Sequence, residues 1–296
     1  MRSSQVQTLE VRGRPLAVRR WGDPAAPRVF MLHGWMDVSA SFQFVVDALA
    51  AAWHVIAPDW RGFGLSPGND GNPYWFPDYL ADVDGLLDCF SPEEPVNLVG
   101  HSMGGNVACL YAGIRPERVR RLVSLEGFGI AAGQAEAAPE RYRRWLEQLR
   151  QPPPSMATYT NVAALAERLK RLNPRLTPAR AGFLAEHLAW PCAGPGESGD
   201  ARVTWAGDAW HKVVNPQVYR LEEAMACWRQ VTAPTLWVRG GETEFLRHCN
   251  MGEADYAARL ATFTQGREVI VPNAGHMLHH DQPECVAALL EAFLCA

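Results

Sequence analysis

Short apolar runs alternate with helical segments through the first 127 residues, and this alternation constrains the fold more than any other feature of the sequence. Helical periodicity separates the runs, as in Ser39–Ala51, where Ser39 is the predicted N-cap, and in Tyr79–Phe90. Buried strands joined by helices predict an α/β fold, a mostly parallel central sheet flanked by helices. The four predicted strands are Arg28–Leu32, His54–Ala57, Val96–Val99 and Arg120–Leu125, preceded by the antiparallel hairpin Gln7–Val11 and Leu16–Trp21.

The middle of the chain has a different pattern, because the alternation stops after about residue 127 and resumes near residue 231. Helical segments are predicted there at Glu140–Leu149, Val162–Leu172 and Thr177–Ala189. The last part returns to strands and helices at Thr235–Val238, Ala254–Phe263, Glu268–Val271 and Pro283–Leu294. We therefore predict a core made of residues 1–127 and 231–296, with a mostly helical cap, residues 128–230, inserted over the strand ends.

Charge and composition exclude several classes of protein. The net charge is −4 with both signs interspersed, so no basic stripe is present to bind nucleic acid or an anionic membrane surface. No apolar run has the length of a signal peptide or a membrane span, and the seven cysteines form no Cys-x-x-Cys pair. These features predict a cytoplasmic enzyme that acts on a small molecule without metal or cofactor. The sequence contains no signal for an oligomeric state.

Motifs typical of a binding site follow the predicted strands at their carboxyl ends. They are His33-Gly34, Asp59, Ser102 and Glu126. The carboxyl ends of parallel strands meet at one edge of the sheet, where ligands of α/β proteins bind. The sequence therefore predicts a functional site at this edge.

Ser102 lies in Gly100-His101-Ser102-Met103-Gly104, between the strand Val96–Val99 and the helix Asn106–Ile114. A Gly-x-Ser-x-Gly motif in this context is typical of a nucleophile elbow, where small neighbours allow a sharp and strained turn. The turn lifts the serine hydroxyl out of the sheet near the positive end of a helix. A phosphate-binding loop is disfavoured, because no Gly-Lys-Ser/Thr follows. Ser102 is therefore the predicted nucleophile.

His276 is the predicted general base. It follows the strand Glu268–Val271 in Asn273-Ala274-Gly275-His276 and precedes the last helix, so it lies on a loop at the same edge of the sheet. The chain order of nucleophile, acid and histidine also fits. His33, His101, His279 and His280 are the rival histidines, but each is closer to another motif or to the helix.

The turn at His33-Gly34-Trp35 is predicted to form half of an oxyanion hole. The backbone N–H of Trp35, together with that of Met103, would stabilise the oxyanion of a tetrahedral intermediate. Each such donor is typically worth about 3–4 kcal/mol. Gly34 and Trp35 are accordingly the predicted substrate-binding residues.

Together these motifs resemble the alpha/beta-hydrolase superfamily. The resemblance rests on His33-Gly34-Trp35, Asp59–Ser66, Gly100–Gly105 and Gly275-His276, which extend from about residue 28 to the end of the chain. His33–Asp37 and Leu125–Gly129 are most similar to the serine hydrolase-like branch. Within this fold Asp59–Ser66 is a structural turn without a catalytic role. Chemistry that requires an aspartate nucleophile, as in dehalogenases and epoxide hydrolases, is disfavoured because residue 102 is serine.

The acid of the predicted triad has two candidates. Most members of the superfamily carry an Asp after the strand that follows the cap, and here that loop contains Glu242 and Glu244 but no Asp. Glu244 matches the family spacing when counted from Gly241. Glu126, after the strand that follows the nucleophile helix, occupies a point similar to the catalytic Glu of haloalkane dehalogenases. Either carboxylate would orient His276 and stabilise its imidazolium form.

These residues predict acyl transfer. Ser102 attacks a carbonyl, His276 transfers the proton, and water hydrolyses the acyl-enzyme. The aromatic and aliphatic residues of the cap favour a small to medium carboxylic ester, acyl or aromatic. Alternatives are hydrolysis of a thioester, an amide or a carbon–carbon bond by the same triad, and a lyase or cofactor-free haloperoxidase on this scaffold. A binding protein without activity is a further alternative, against which the intact Ser102 and His276 argue.

Overall fold

A computed structural model describes residues 1–192 and 202–296 of the chain. Its main sheet has eight strands: β1 (Ser4–Val11), β2 (Arg14–Trp21), β3 (Arg28–Leu32), β4 (His54–Pro58), β5 (Val96–His101), β6 (Val119–Leu125), β10 (Thr235–Gly240) and β11 (Gly266–Val271). Their spatial order is β1-β2-β4-β3-β5-β6-β10-β11. Strand β2 is antiparallel to both of its neighbours, and the pairs from β4 to β11 are parallel. The predicted mostly parallel sheet is confirmed.

Helices cover both faces of this sheet. They are α1 (Gln43–Ala48), α2 (Pro77–Phe90), α3 (Met103–Ile114), α7 (Leu221–Trp228), α8 (Phe245–His248), α9 (Glu253–Leu260), α10 (Leu278–Asp281) and α11 (Pro283–Leu294). Successive strand residues point to opposite faces, so Leu98 of β5 packs in the apolar cluster with α2 and α3. The next residue, Val99, packs in the cluster with α1 and α11. The sheet is therefore buried on both sides, as its continuous apolar runs require.

The predicted helix Ser39–Ala51 differs from the structure at both ends. The segment begins as a 3-10 helix, Ser39–Phe42, and α1 ends at Ala48. Ser39 is not an N-cap: Val38 holds that position, while the backbone N–H of Ser39 donates to Asp59 Oδ1 at 2.6 Å. Because the Asp59 turn supplies this acceptor, the segment starts without a side-chain cap of its own.

The segment between β6 and β10 contains α4 (Ala138–Leu149), α5 (Val162–Leu172) and α6 (Pro178–His187). It also contains an unpredicted antiparallel sheet of β7 (Thr158–Tyr159), β8 (Ala189–Cys192) and β9 (Arg202–Trp205). The predicted third helix is therefore too long at its carboxyl end, since Ala189 already pairs with Trp205. Residues 193–201 of the predicted cap lie outside the described residues.

Helix α7 lies within the predicted cap but packs against the core. A Cβ on Gly113 of α3 would overlap the backbone carbonyl of Cys227, so the two helices are in close contact. Trp228 is buried in the same apolar cluster as Trp237 of β10. None of the described helices is long and apolar enough to cross a membrane.

Candidate active site

Ser102 occupies a strained turn between β5 and α3. Its backbone has φ 51° and ψ −115°, a conformation that L-residues rarely adopt. The close packing around it requires glycine: a Cβ on Gly100 would overlap the backbone of Gly104, and a Cβ on Gly104 would overlap the carbonyl of Leu32. The backbone N–H of Ser102 also donates to the carbonyl of Leu125 at 2.8 Å. The neighbouring strands β3 and β6 therefore position the serine.

His276 lies on the loop between β11 and α10, next to Ser102. Its Nε2 atom is 3.0 Å from the Ser102 hydroxyl oxygen, within hydrogen-bond distance. The ring stacks on Phe245 with the ring centroids 4.5 Å apart. The imidazole is partly exposed toward the cavity beside Ser102, so it can exchange a proton with a bound substrate.

Glu126 is buried directly after β6, and its carboxylate contacts His276. Its Oε2 atom is 3.0 Å from His276 Nδ1 and accepts a hydrogen bond from the Thr243 hydroxyl at 2.7 Å. The other oxygen, Oε1, accepts from the backbone N–H of Gly240 at 2.7 Å. The carboxylate has no solvent exposure, and its residue has φ 57°. A buried carboxylate of this kind is stable because every oxygen accepts a hydrogen bond.

Glu244 lies elsewhere, although it follows the family spacing. Its exposed carboxylate pairs with Arg247 at 2.7 Å, one turn further along the surface. Glu242 is also exposed and pairs with Arg175 of the cap. The structure therefore places Glu126, and neither Glu244 nor Glu242, in contact with His276. The end of β10 contributes Gly240 and the loop after it contributes Thr243, two donors that carry no sequence signal of their own.

The turn after β3 approaches Ser102 from the opposite side. A Cβ on Gly34 would lie 3.2 Å from the Cβ of Ser102, so only glycine fits this approach without displacement. His33 holds the turn: its Nε2 accepts from the Trp60 N–H at 2.9 Å, and its Nδ1 donates to the Gly34 carbonyl at 2.7 Å. Burial lowers the pKa of His33 and so favours this neutral form.

The two predicted oxyanion donors flank this approach. Trp35 follows Gly34 and has an exposed indole, whereas Met103 is the first residue of α3. In the described parts of the chain, no protein acceptor takes the backbone N–H of Trp35 or of Met103. Two unpaired donors on either side of Ser102 suit an oxyanion.

A cavity of about 300 Å³ opens beside Ser102. Its walls are mostly apolar, and the segment between β6 and β10 contributes Leu169, Leu172, Leu176, Leu184, Leu188 and Trp205. A larger groove of about 650 Å³ lies along Arg239–Glu253, but it includes neither Ser102 nor His276. The smaller cavity is therefore the candidate substrate pocket.

Two cap tryptophans hold the cap over this cavity. The indole N–H of Trp190 donates to the Gly64 carbonyl at 2.6 Å, and that of Trp205 donates to the Met36 carbonyl at 2.7 Å. Gly64 lies in the Asp59–Ser66 turn, and Met36 follows the turn His33-Gly34-Trp35, which is called the oxyanion turn below. The sequence did not reveal these roles, since each contact joins residues more than a hundred positions apart.

Buried polar side chains surround the back of the site. His101 Nε2 lies 2.9 Å from the carbonyl of His276, and its ring is 4.2 Å from that of His279. Burial lowers the pKa of both His101 and His280 well below the ordinary value. Burial alone would raise the pKa of Asp37, but the nearby His279 and His280 outweigh it and hold this pKa below its usual range. The sequence did not predict this group.

Comparison with known proteins agrees with this geometry. A family model described as alpha/beta hydrolase fold matches residues 27–283. A serine hydrolase-like protein of Danio rerio is 27% identical over 288 residues, which cover 93% of this chain and 83% of the relative. A 3-hydroxybutyrate-oligomer hydrolase of Cupriavidus necator is 28% identical over 293 residues, which cover 94% of this chain and 92% of that protein.

A solved structure is similar over almost the whole fold. The thioesterase domain from the curacin biosynthetic pathway superposes with a TM-score of 0.84 and 25% identity, covering 97% of this chain and 99% of that one. Fold, family model and relatives all indicate a hydrolase. The chain belongs to the alpha/beta-hydrolase superfamily, in its serine hydrolase-like branch.

Proposed function

We propose that this protein hydrolyses a small to medium carboxylic ester through an acyl-enzyme on Ser102. One observation carries the proposal: an unbroken series of contacts joins Ser102 Oγ, both ring nitrogens of His276 and the buried carboxylate of Glu126. A serine hydroxyl is a poor nucleophile alone, and a histidine held by a carboxylate is what activates it.

In the proposed mechanism, His276 Nε2 accepts the Ser102 proton as the hydroxyl attacks the ester carbonyl. The backbone N–H groups of Trp35 and Met103 stabilise the oxyanion that forms. His276 then protonates the leaving alcohol, and the same ring activates the water that hydrolyses the acyl-enzyme.

Glu126 is the proposed acid of the triad. It would hold the Nδ1–H tautomer of His276 and stabilise the imidazolium that forms during attack. The donors Gly240 and Thr243 support this role, because they satisfy the carboxylate and keep one oxygen directed at the ring.

The cavity beside Ser102 supports the proposed substrate class. Its volume of about 300 Å³ is at the small end of the usual range for ligand pockets, and its mostly apolar walls include five leucines and two tryptophans. An apolar acyl or aromatic group of moderate size fits such a space. The similar Cupriavidus protein is named as a hydrolase of 3-hydroxybutyrate oligomers. Ester bonds join the units of such oligomers, which agrees with this class.

A thioester is the second candidate. The favouring observation is the TM-score of 0.84 with a domain named as a thioesterase. The same attack on a carbonyl cleaves either bond, and only the leaving group differs.

A fluorophosphonate probe tests the nucleophile. We expect it to label the wild-type protein and the Ser155→Ala variant, whose serine is exposed and does not line the cavity beside Ser102. The Ser102→Ala variant should not be labelled. Labelling of Ser102→Ala, or its absence in wild type, contradicts the proposal.

The substrate class is tested by p-nitrophenyl esters of increasing acyl length, run beside the matching acyl thioesters. We expect kcat/KM to rise with acyl length and then fall when the chain exceeds the cavity. If thioesters are cleaved far faster at every length, the second candidate replaces the first.

A further inference from the structure

A second group of ligand-type side chains lies behind the active site. Asp37 lies two residues after the turn His33-Gly34-Trp35, and His279 and His280 lie in α10, just after the His276 loop. All three residues are buried. Each offers one ligand atom, a carboxylate oxygen or an imidazole nitrogen, and these atoms all lie within 4.8 Å of one another. Two segments that are far apart in the sequence therefore converge on one point.

Asp37 is a buried carboxylate, and within the described residues its side-chain partners do not include a lysine or an arginine. No Lys or Arg pairs with it in residues 1–192 and 202–296; its contacts are the Ser41 hydroxyl at 2.8 Å and His279 Nε2 at 3.8 Å. Burial of a carboxylate is costly, and the titratable groups that offset this cost for Asp37 are all histidines. The local charge therefore favours a bound cation.

The two histidines also have unused nitrogens. Among the described residues, neither His279 Nδ1 nor His280 Nε2 has a hydrogen-bond partner. Buried polar atoms without a partner call for an explanation, which an ion or a water can supply. On His279 a metal ion would bind Nε2, the nitrogen that faces Asp37, and would fix the tautomer with the proton on Nδ1.

We propose that Asp37, His279 and His280 bind a single divalent transition-metal ion of the Zn²⁺ class. Two imidazoles and one carboxylate are ligands that Zn²⁺ and Co²⁺ accept, whereas Mg²⁺ and Ca²⁺ prefer oxygen ligands. Bonds of about 2.0–2.1 Å separate tetrahedral ligand atoms by roughly 3.3 Å. His279 Nε2 lies 3.8 Å from Asp37 Oδ2 and all three ligand atoms lie within 4.8 Å of one another, so a bound ion would draw the side chains closer together.

The ion has an entry path, since Asp37 and His280 also line the cavity beside Ser102. Three protein ligands leave one coordination position for water or a small anion. No metal motif is visible in the sequence, because Asp37 lies after β3 and both histidines lie in α10. The proposal does not rest on the ester hydrolysis proposed for Ser102.

Metal binding is tested on the untagged full chain after removal of metal with EDTA. Co²⁺ is titrated while its visible absorption is followed, and Zn²⁺ bound after gel filtration is counted by mass spectrometry. We expect the wild-type chain to bind one ion and to show the Co²⁺ absorption of a site with low coordination number. We expect His280→Phe and Asp37→Asn to lower the affinity by about tenfold or more.

The matched control is His248→Phe, which removes an exposed histidine and should leave binding unchanged. Circular dichroism and fluorophosphonate labelling of the metal-free variants establish that each is folded with an accessible Ser102. If His280→Phe fails to fold, Asp37→Asn, which keeps the shape of the side chain, tests the metal site in its place. The proposal is overturned if wild type binds no more metal than Asp37→Asn, or if His248→Phe loses binding equally.

Discussion

The loops that follow β6 and β10 each carry a glutamate, and the two glutamates have opposite surroundings. Glu126, after β6, is fully buried and contacts His276. Glu244, after β10, is exposed and pairs with Arg247. Both loops lie at the same edge of the sheet, because β6 and β10 are parallel neighbours. The comparison shows that position along the chain does not determine which carboxylate reaches the histidine.

The β10 loop still takes part in the site, but as a donor. Its Gly240 N–H and Thr243 hydroxyl both donate to Glu126. Where most members of the superfamily carry an Asp, this chain therefore has groups that hold a carboxylate from the adjacent strand. The two loops act as one unit, with the charge on one and its hydrogen-bond donors on the other.

The largest effect is expected from Glu126→Gln. The amide keeps the shape of the side chain but removes the negative charge and favours the wrong His276 tautomer. We expect kcat for a p-nitrophenyl ester to fall by about 10³- to 10⁴-fold, while the fold persists. A loss smaller than tenfold, with an unchanged circular dichroism spectrum, would show that Glu126 is not the acid.

A smaller loss is expected from Thr243→Val, which removes the hydroxyl donor from Glu126 Oε2. A hydrogen bond to a charged group is worth about 1.5–3 kcal/mol, and Gly240 still holds the other oxygen. We expect kcat to fall by about tenfold. The control is Thr243→Ser, which keeps the hydroxyl and should retain most of the activity. If Thr243→Ser loses activity while Thr243→Val retains it, the methyl group rather than the hydroxyl is responsible.

Glu244→Gln is expected to have the smallest effect. It removes an exposed ion pair with Arg247, and such pairs contribute about 0–1 kcal/mol. Both kcat and KM should stay within about twofold of the wild-type values. A loss comparable to that of Glu126→Gln would instead return Glu244 to the triad.

The sequence predicted the parts of this site that depend on local context. Ser102 lies between a strand and a helix in a glycine motif, and His276 lies after a strand, so both can be located from neighbouring residues. The acid cannot be chosen in this way, because its surroundings depend on β6 pairing with β10. Thr243 becomes meaningful only once that pairing brings it to Glu126.

The cap and the buried histidines were less predictable for the same reason. Ala189–Cys192 forms a strand only because Arg202–Trp205 pairs with it, and Pro191 within so short a run argues against a strand. Asp37 and His280 are separated by more than two hundred residues. Their proximity follows from the packing of the oxyanion turn against α10, which no local pattern encodes.

The identity of the acid is tested most directly by proton NMR of the His276 Nδ1–H. A proton shared with a buried carboxylate resonates far downfield and is shielded from exchange, and its absence in a His276→Gln variant assigns it. We predict that this resonance is present in wild type and in Glu244→Gln and absent in Glu126→Gln. Its persistence in Glu126→Gln, or its loss in Glu244→Gln alone, would contradict the proposed Ser102–His276–Glu126 triad.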